Sequence, residues 1–176
     1  MIIREERPSD YSWVYELVKK SFATVYDSDG TEPDYLNELR KKDVFIPELS
    51  LVAELESGML VGQIVLYKTS IITPNKTVTA LVLSPLCVHP DYFRQGIARA
   101  LMERSFEIAK NLGYTAVFLC GDPQFYRKIG FVPSYEHGIY HITDAEGNAE
   151  WCMVRELVDG TLKGTLKNIS GTVDIV

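Results

Sequence analysis

The segment Leu86-Cys87-Val88-His89-Pro90-Asp91-Tyr92-Phe93-Arg94-Gln95-Gly96-Ile97-Ala98-Arg99-Ala100-Leu101 reads as a strand end, a short polar loop and a long helix with glycine in its first turn. The first N–H groups of a helix lack internal partners and carry the positive end of its dipole, so they suit phosphate oxygens. Gly96 lets a phosphate reach the backbone with no Cβ in the way, and Arg94 and Arg99 can add charge. The turn has neither the Gly-x-Gly-x-x-Gly of a dinucleotide fold nor the Gly-Lys-Ser/Thr of a P-loop. Taken alone, a glycine here also serves ordinary strand-to-helix packing.

Pro85 adds to this. Proline brings no N–H to a ladder, so inside a central strand it marks a bulge or a break in pairing. A strand released there exposes the backbone of Leu86, Cys87 and Val88, on which an extended ligand with amides of its own can pair as an added strand. Pantetheine, the arm of coenzyme A, is such a ligand, and its pyrophosphate would then fall at the helix start.

Other residues with chemical potential are less pointed. Cys87 and Cys120 are expected on neighbouring strands, with no histidine placed to activate either, so both are read as buried, inert thiols. His137 and His141 have i, i+4 spacing, but Gly138 and Ile139 between them disfavour a helix, and no metal site is expected. Tyr11, Trp13 and Tyr15 suit packing or the wall of an acceptor site.

The elements that must position these residues follow from periodicity. Residues 2–6 suggest a first strand, and Pro8-Ser9-Asp10 offers caps for a helix carrying Val14, Leu17, Val18, Ser21, Phe22 and Val25 on one face. A weaker helix is expected over 33–42. Strands are expected over 51–56, 60–69 and 77–88, the first two around the Ser57-Gly58 turn. Residues 95–112 form the strongest helix, with Ile97, Ala98, Leu101, Met102, Phe106, Ala109 and Leu112 as its apolar stripe and Gly113 as its stop. A strand at 115–119, a short helix at 123–129, an edge strand at 131–133 and a last strand at 149–157 complete the order. This predicts one α/β (α+β) domain over residues 1–176, its sheet mixed and mostly antiparallel.

Composition narrows the function. The 176 residues are 46% hydrophobic and 24% charged, with a net charge of −6, as in an ordinary globular protein. That acidity disfavours nucleic acid and anionic membranes as partners, since both select basic surfaces. No apolar run reaches the ~20 residues of a membrane helix. The three cysteines form no C-x-x-C pair and the N-terminus lacks a signal-peptide layout, so a cytoplasmic setting is expected.

Three motifs together resemble the GNAT superfamily of N-acetyltransferases. Gly96-Ile97-Ala98 matches the second half of its Gln/Arg-x-x-Gly-x-Gly/Ala turn, with Phe93 where Gln or Arg is usual and Arg94 beside it. Phe125-Tyr126-Arg127-Lys128-Ile129-Gly130-Phe131 looks like its Phe-Tyr-x-Lys-x-Gly-Phe signature, and Arg7-Pro8-Ser9-Asp10 before an amphipathic helix is typical. Gly121-Asp122-Pro123, Trp151-Cys152-Met153-Val154 and Gly171-Thr172-Val173 resemble the YhbS-like branch of predicted bacterial acetyltransferases. Where many members carry an asparagine, seven positions before the tyrosine, this chain has Leu119.

The resemblance implies a sheet splayed between its fourth and fifth strands. It also implies acetyl-CoA as acyl donor with no metal, and direct attack by a primary amine of a small molecule or peptide. The cofactor would lie along Leu86, Cys87 and Val88 and on Phe93, Arg94, Gln95, Gly96, Ile97, Ala98 and Arg99. Tyr126 would protonate the departing thiolate, and a backbone N–H near Val88 would hold the oxyanion. Asp122, Glu136, His137 and Glu54 are candidates for the base, as is a water relay. A non-catalytic acyl-CoA sensor of the same fold is the alternative, and monomer and homodimer both stay open.

Overall fold

Among the described residues the chain forms thirteen α-helices and strands, most of them marked by changes of period along the sequence. The computed structural model describes residues 1–23, 28–164, 166 and 170–174. In order these are β1 (Ile2–Glu5), α1 (Tyr11–Phe22), α2 (Glu32–Leu39), β2 (Ser50–Glu54), β3 (Leu60–Ile72), β4 (Thr77–Val88), α3 (Ile97–Asn111), β5 (Ala116–Cys120), α4 (Pro123–Tyr126), β6 (Val132–Pro133), β7 (Ile139–His141), β8 (Cys152–Glu156) and β9 (Gly171–Val173). Two compact units divide the chain, Met1–Tyr67 with Ser84–Ile108 and Lys68–Leu83 with Ala109–Val176.

In the first unit β1, β2 and β3 are successively antiparallel, with Ile3 opposite Ala53 and Val52 opposite Gln63. The end of β4 joins β3, where the His89 N–H reaches the Val61 carbonyl at 2.8 Å. α1 buries Val14, Leu17, Val18 and Ser21 as its spacing predicts, while Val25 lies outside the described residues. α3 lies directly on β3 at Gly62, where a Cβ would come 2.9 Å from both Ile97 Cγ2 and Leu101 Cδ1. That close approach sets where the N-terminal turn of α3 sits.

Successive strand residues point to opposite faces, so Gln63 looks away from α3. Its side chain is fully buried, and among the described residues neither amide atom has a partner. The Arg40 guanidinium grips the Glu6 carboxylate, both side chains nearly closed to solvent, and the Ser50 hydroxyl donates to the same carboxylate at 2.8 Å. Arg4 joins Asp10 to Glu54, tying the entry of α1 to β1 and β2.

In the second unit β4 runs parallel to β5, with Leu81 opposite Val117 and Val82 opposite Phe118. The pairing spans those two registers. On β4 it is soon followed by Pro85, which brings no N–H to a ladder, and the Ser84–Pro85 bond is cis. β8 pairs antiparallel with both β5 and β6. β9 pairs parallel with β7 and antiparallel with the end of β3 at Ile71 and Ile72. The fold is therefore mixed α/β, mostly antiparallel, as the sequence predicts.

Three expectations are corrected. The last long strand starts at Cys152 rather than 149, because the Asp144 carboxylate takes the N–H groups of Gly147, Asn148 and Ala149 and closes them into a turn. Leu112 is 48% exposed. α3 has ended at Asn111, and Gly113 (φ 91°) turns its N–H back to Lys110, so Leu112 swings out of the stripe. β7 and β9 are short strands whose partners come from distant parts of the chain, which local alternation does not show. Among the described residues no helix is long and apolar enough to cross a membrane.

Candidate functional site

After β4 the chain makes a 3₁₀ turn at Pro90–Tyr92 and then enters the left-handed region twice, at Arg94 (φ 61°) and Gly96 (φ 81°). A non-glycine residue there is uncommon and costs roughly 1–2 kcal/mol. Alternating handedness turns successive N–H groups toward one side, which makes a concavity suited to an anion. The same geometry delays α3 to Ile97, two residues later than the apolar period predicts. Its ladder opens with the Ala100 N–H on the Gly96 carbonyl at 3.0 Å. Among the described residues no backbone carbonyl takes the N–H groups of residues 94–99.

The turn is also open. Arg94, Gln95 and Gly96 are exposed, and among the described residues nothing lies within 4 Å of the place where a Gly96 Cβ would be. Phe93 is exposed, Ala98 half-buried and Ile97 buried against the sheet. Arg99 is exposed and only loosely paired with Glu103, at 3.5 Å. N–H groups that no backbone carbonyl takes, an absent Cβ and two exposed guanidinium heads fit a pyrophosphate.

At the end of β4, Leu86 is half-buried and Cys87 and Val88 are buried. The Ser21 hydroxyl bonds the Val88 carbonyl at 2.9 Å and anchors α1 to this strand. Burial pushes the Cys87 thiol up to about 12, so it stays neutral and inert, as expected. His89 is buried too, with Nε2 3.0 Å from the Lys20 Nζ. Nothing in the local sequence signals that contact, because Lys20 is far away in the chain.

In the second unit Tyr126 ends α4. Asp122 caps this helix, its Oδ1 accepting the Gln124 N–H at 2.8 Å. The Tyr126 ring lies on Gly121, where a Cβ would come 2.5 Å from Cε2. Phe125 and Phe131 meet the ring edge-on, with centroids at 4.9 and 5.6 Å. Burial, and then the Asp122 charge, push the phenol up to about 12, so it is protonated at neutral pH. Gly121 is legible in the sequence as part of a motif, but its role as the seat of this ring is not.

The remaining candidates are dispersed. Asp122 and Glu136 are exposed, His137 is half-buried beside Gly138, and the Glu54 carboxylate is held by Arg4. His137 and His141 share no helix, and His141 packs against Trp151. Tyr11 lies under the Arg40 guanidinium, Trp13 is exposed, and Tyr15 bonds Asp34. Cys120 corrects the reading of a buried thiol: it is exposed, because it ends β5 at the sheet margin, and it stands opposite Cys152 in the register of β5 on β8. Among the described residues no three His, Cys, Asp or Glu side chains could hold a metal.

Comparison with known proteins adds to this geometry. A family model described as an acetyltransferase (GNAT) domain matches residues 2–134. The uncharacterised N-acetyltransferase YhbS of Escherichia coli K12 is 29% identical over 164 residues, 93% of this chain and 92% of that protein. The crystal structure of E. coli YhbS in complex with CoA superposes with a TM-score of 0.80 at 26% identity, covering 99% of this chain and 89% of that one. A Brucella melitensis GNAT acetyltransferase in complex with acetyl-CoA shares the fold, with a TM-score of 0.75, 22% identity and coverage of 99% and 95%.

Proposed function

Because the chain belongs to the acetyltransferase (GNAT) domain family, we propose that it transfers an acetyl group from acetyl-CoA to a primary amine of a small molecule or peptide. The open, left-handed turn at Arg94–Gly96 carries this reading, with its free N–H groups running into α3. Residues 94–99 hold the pyrophosphate, and the backbone of Leu86, Cys87 and Val88 pairs with the pantetheine amides. The likeness to a YhbS structure holding CoA supports the same assignment.

Tyr126 serves the departing sulfur. A thiol of pKa ~8.5 is already a fair leaving group. Full proton transfer from a phenol held near 12 would be uphill. The phenol therefore stabilises the thiolate as a hydrogen-bond donor while the bond to carbon breaks, which places its contribution toward the lower end of the ~10²–10⁴-fold range. The acidic chain favours the approach of a cationic acceptor by long-range steering.

A screen of amines and peptides with acetyl-CoA, read as free thiol released, tests this. Tyr126→Phe should turn over about 10²-fold more slowly with acetyl-CoA affinity intact. Equal rates in the two proteins would remove Tyr126 from the chemistry. Tight cofactor binding with no turnover on any amine would favour the non-catalytic sensor instead.

A further inference from the structure

Cys120, the last residue of β5, stands directly opposite Cys152, the first of β8. One step along the ladder the Gly121 N–H donates to the Trp151 carbonyl at 2.9 Å. Hydrogen-bonded and non-hydrogen-bonded pairs alternate in an antiparallel ladder, so Cys120 and Cys152 form a non-hydrogen-bonded pair. In keeping with that, the Cys152 N–H turns away, to the Ala149 carbonyl at 3.3 Å. Such pairs bring their Cα atoms to about 4.5 Å with both side chains on one face, within the ~4.4–6.8 Å that a disulfide spans.

Both cysteines are free thiols, and each perturbs the other's ionisation, with Cys120 raised and Cys152 lowered. Their access differs: Cys120 is exposed, while Cys152 is 1% exposed and receives the Ser134 hydroxyl at 3.2 Å. We propose that Cys120 and Cys152 are a redox modification site, which an oxidant of the peroxide class converts to an intrachain disulfide joining β5 to β8.

The chemistry balances within the pair. The neighbouring Cys120 thiol, and then the Ser134 hydroxyl that donates to Cys152, hold the Cys152 thiol below its ordinary value, so the first negative charge of the pair falls on that sulfur. Transfer of the Cys120 proton to the Cys152 sulfur moves the charge to Cys120, the sulfur that an oxidant can reach. Cys120 takes one peroxide oxygen as a sulfenic acid, the O–O bond breaks and hydroxide leaves. The Cys152 sulfur then attacks Cys120, the S–S bond forms, the S–O bond breaks, and water departs with the Cys152 proton. The two sulfurs give up two electrons and the peroxide receives them.

The site adjoins a residue that matters. Gly121, next after Cys120, seats the Tyr126 ring, so oxidation ties down the strand end from which that turn departs. Cys87 supplies an internal control, since it is closed to solvent and its thiol is held neutral.

The test treats the folded full chain with hydrogen peroxide and reads intact mass, free thiols and a peptide map. The expected result is loss of two of the three thiols, a mass lower by two hydrogens, a Cys120–Cys152 linked peptide, and full reversal by dithiothreitol. Cys120→Ser, a change at an exposed position whose folding circular dichroism can confirm, should lose the cross-link completely. Oxygen added to Cys120 while Cys152 remains a free thiol in the folded wild type would overturn the proposal. So would a cross-link that uses Cys87 or joins two chains.

Discussion

Alanine at position 121 places a methyl group where the Tyr126 ring now lies. The new Cβ would be 2.5 Å from Cε2 and 3.0 Å from Cδ2, with Leu119 Cδ1 at 3.3 Å on another side. Carbon atoms settle at roughly 3.5–4.0 Å, so ring or backbone must move by about 1 Å or more. The backbone is pinned by the Gly121 N–H on Trp151, and the ring is hemmed in by Phe125 and Phe131. The ring gives way. Overpacking of this kind destabilises by about 1–3 kcal/mol, which lowers Tm by roughly 2–12 °C in a chain this long. A reacting group displaced by about 1 Å loses roughly 10²-fold in rate. Thermal denaturation with steady-state thiol release on an acceptor found in the amine screen measures both effects. Gly121→Ala should fold with a lower Tm, bind acetyl-CoA as before, and show a kcat about 10²-fold lower. A variant with wild-type Tm and wild-type kcat would refute the placement of Tyr126 on Gly121 and its share in catalysis.

Two further outcomes follow from the first unit. Gln63 is buried with no partner for its amide among the described residues, and an unmet buried polar group costs about 1–3 kcal/mol, so Gln63→Leu should raise Tm by several degrees in thermal denaturation; a lower Tm would show that the amide is satisfied. The Arg4 guanidinium, helped by the Arg7 N–H, holds the Asp10 carboxyl below its ordinary value of 3.8 despite partial burial. Between its folded value and 3.8 the native state therefore binds fewer protons than the unfolded chain. This contribution to stability is complete above about pH 5 and disappears as pH falls through the folded value. Denaturant unfolding across that acid range should show a shallower decline for Asp10→Asn than for wild type, and identical declines would remove Asp10 from the account.

The parts legible in the sequence are those whose signal is local. The stripe Val14, Leu17, Val18 and Ser21 gives α1, and the long apolar run at 77–88 gives β4. Gly96 with its neighbouring arginines marks the phosphate-suited turn, because a helix N-terminus is a property of one segment. What stayed hidden depends on distant parts of the chain. The left-handed Arg94 is not written in its residue type, and it shifts the start of α3. Cys120 and Cys152 meet only through the register of β5 on β8, across 32 positions of chain. The capture of three N–H groups by Asp144 shortens β8 by a means that alternation does not encode.

The central claim is that residues 94–99 hold the phosphates of the acyl donor. Calorimetric titration of acetyl-CoA and of free coenzyme A into the wild-type protein and Gly96→Trp tests it most directly. Tryptophan fills the open space beside the turn and is strained at φ 81°. The account predicts micromolar binding of both ligands to wild type and a loss of at least about 100-fold, near 2.7 kcal/mol, in the variant. Undiminished binding to Gly96→Trp, or no binding of either ligand to wild type, would contradict it.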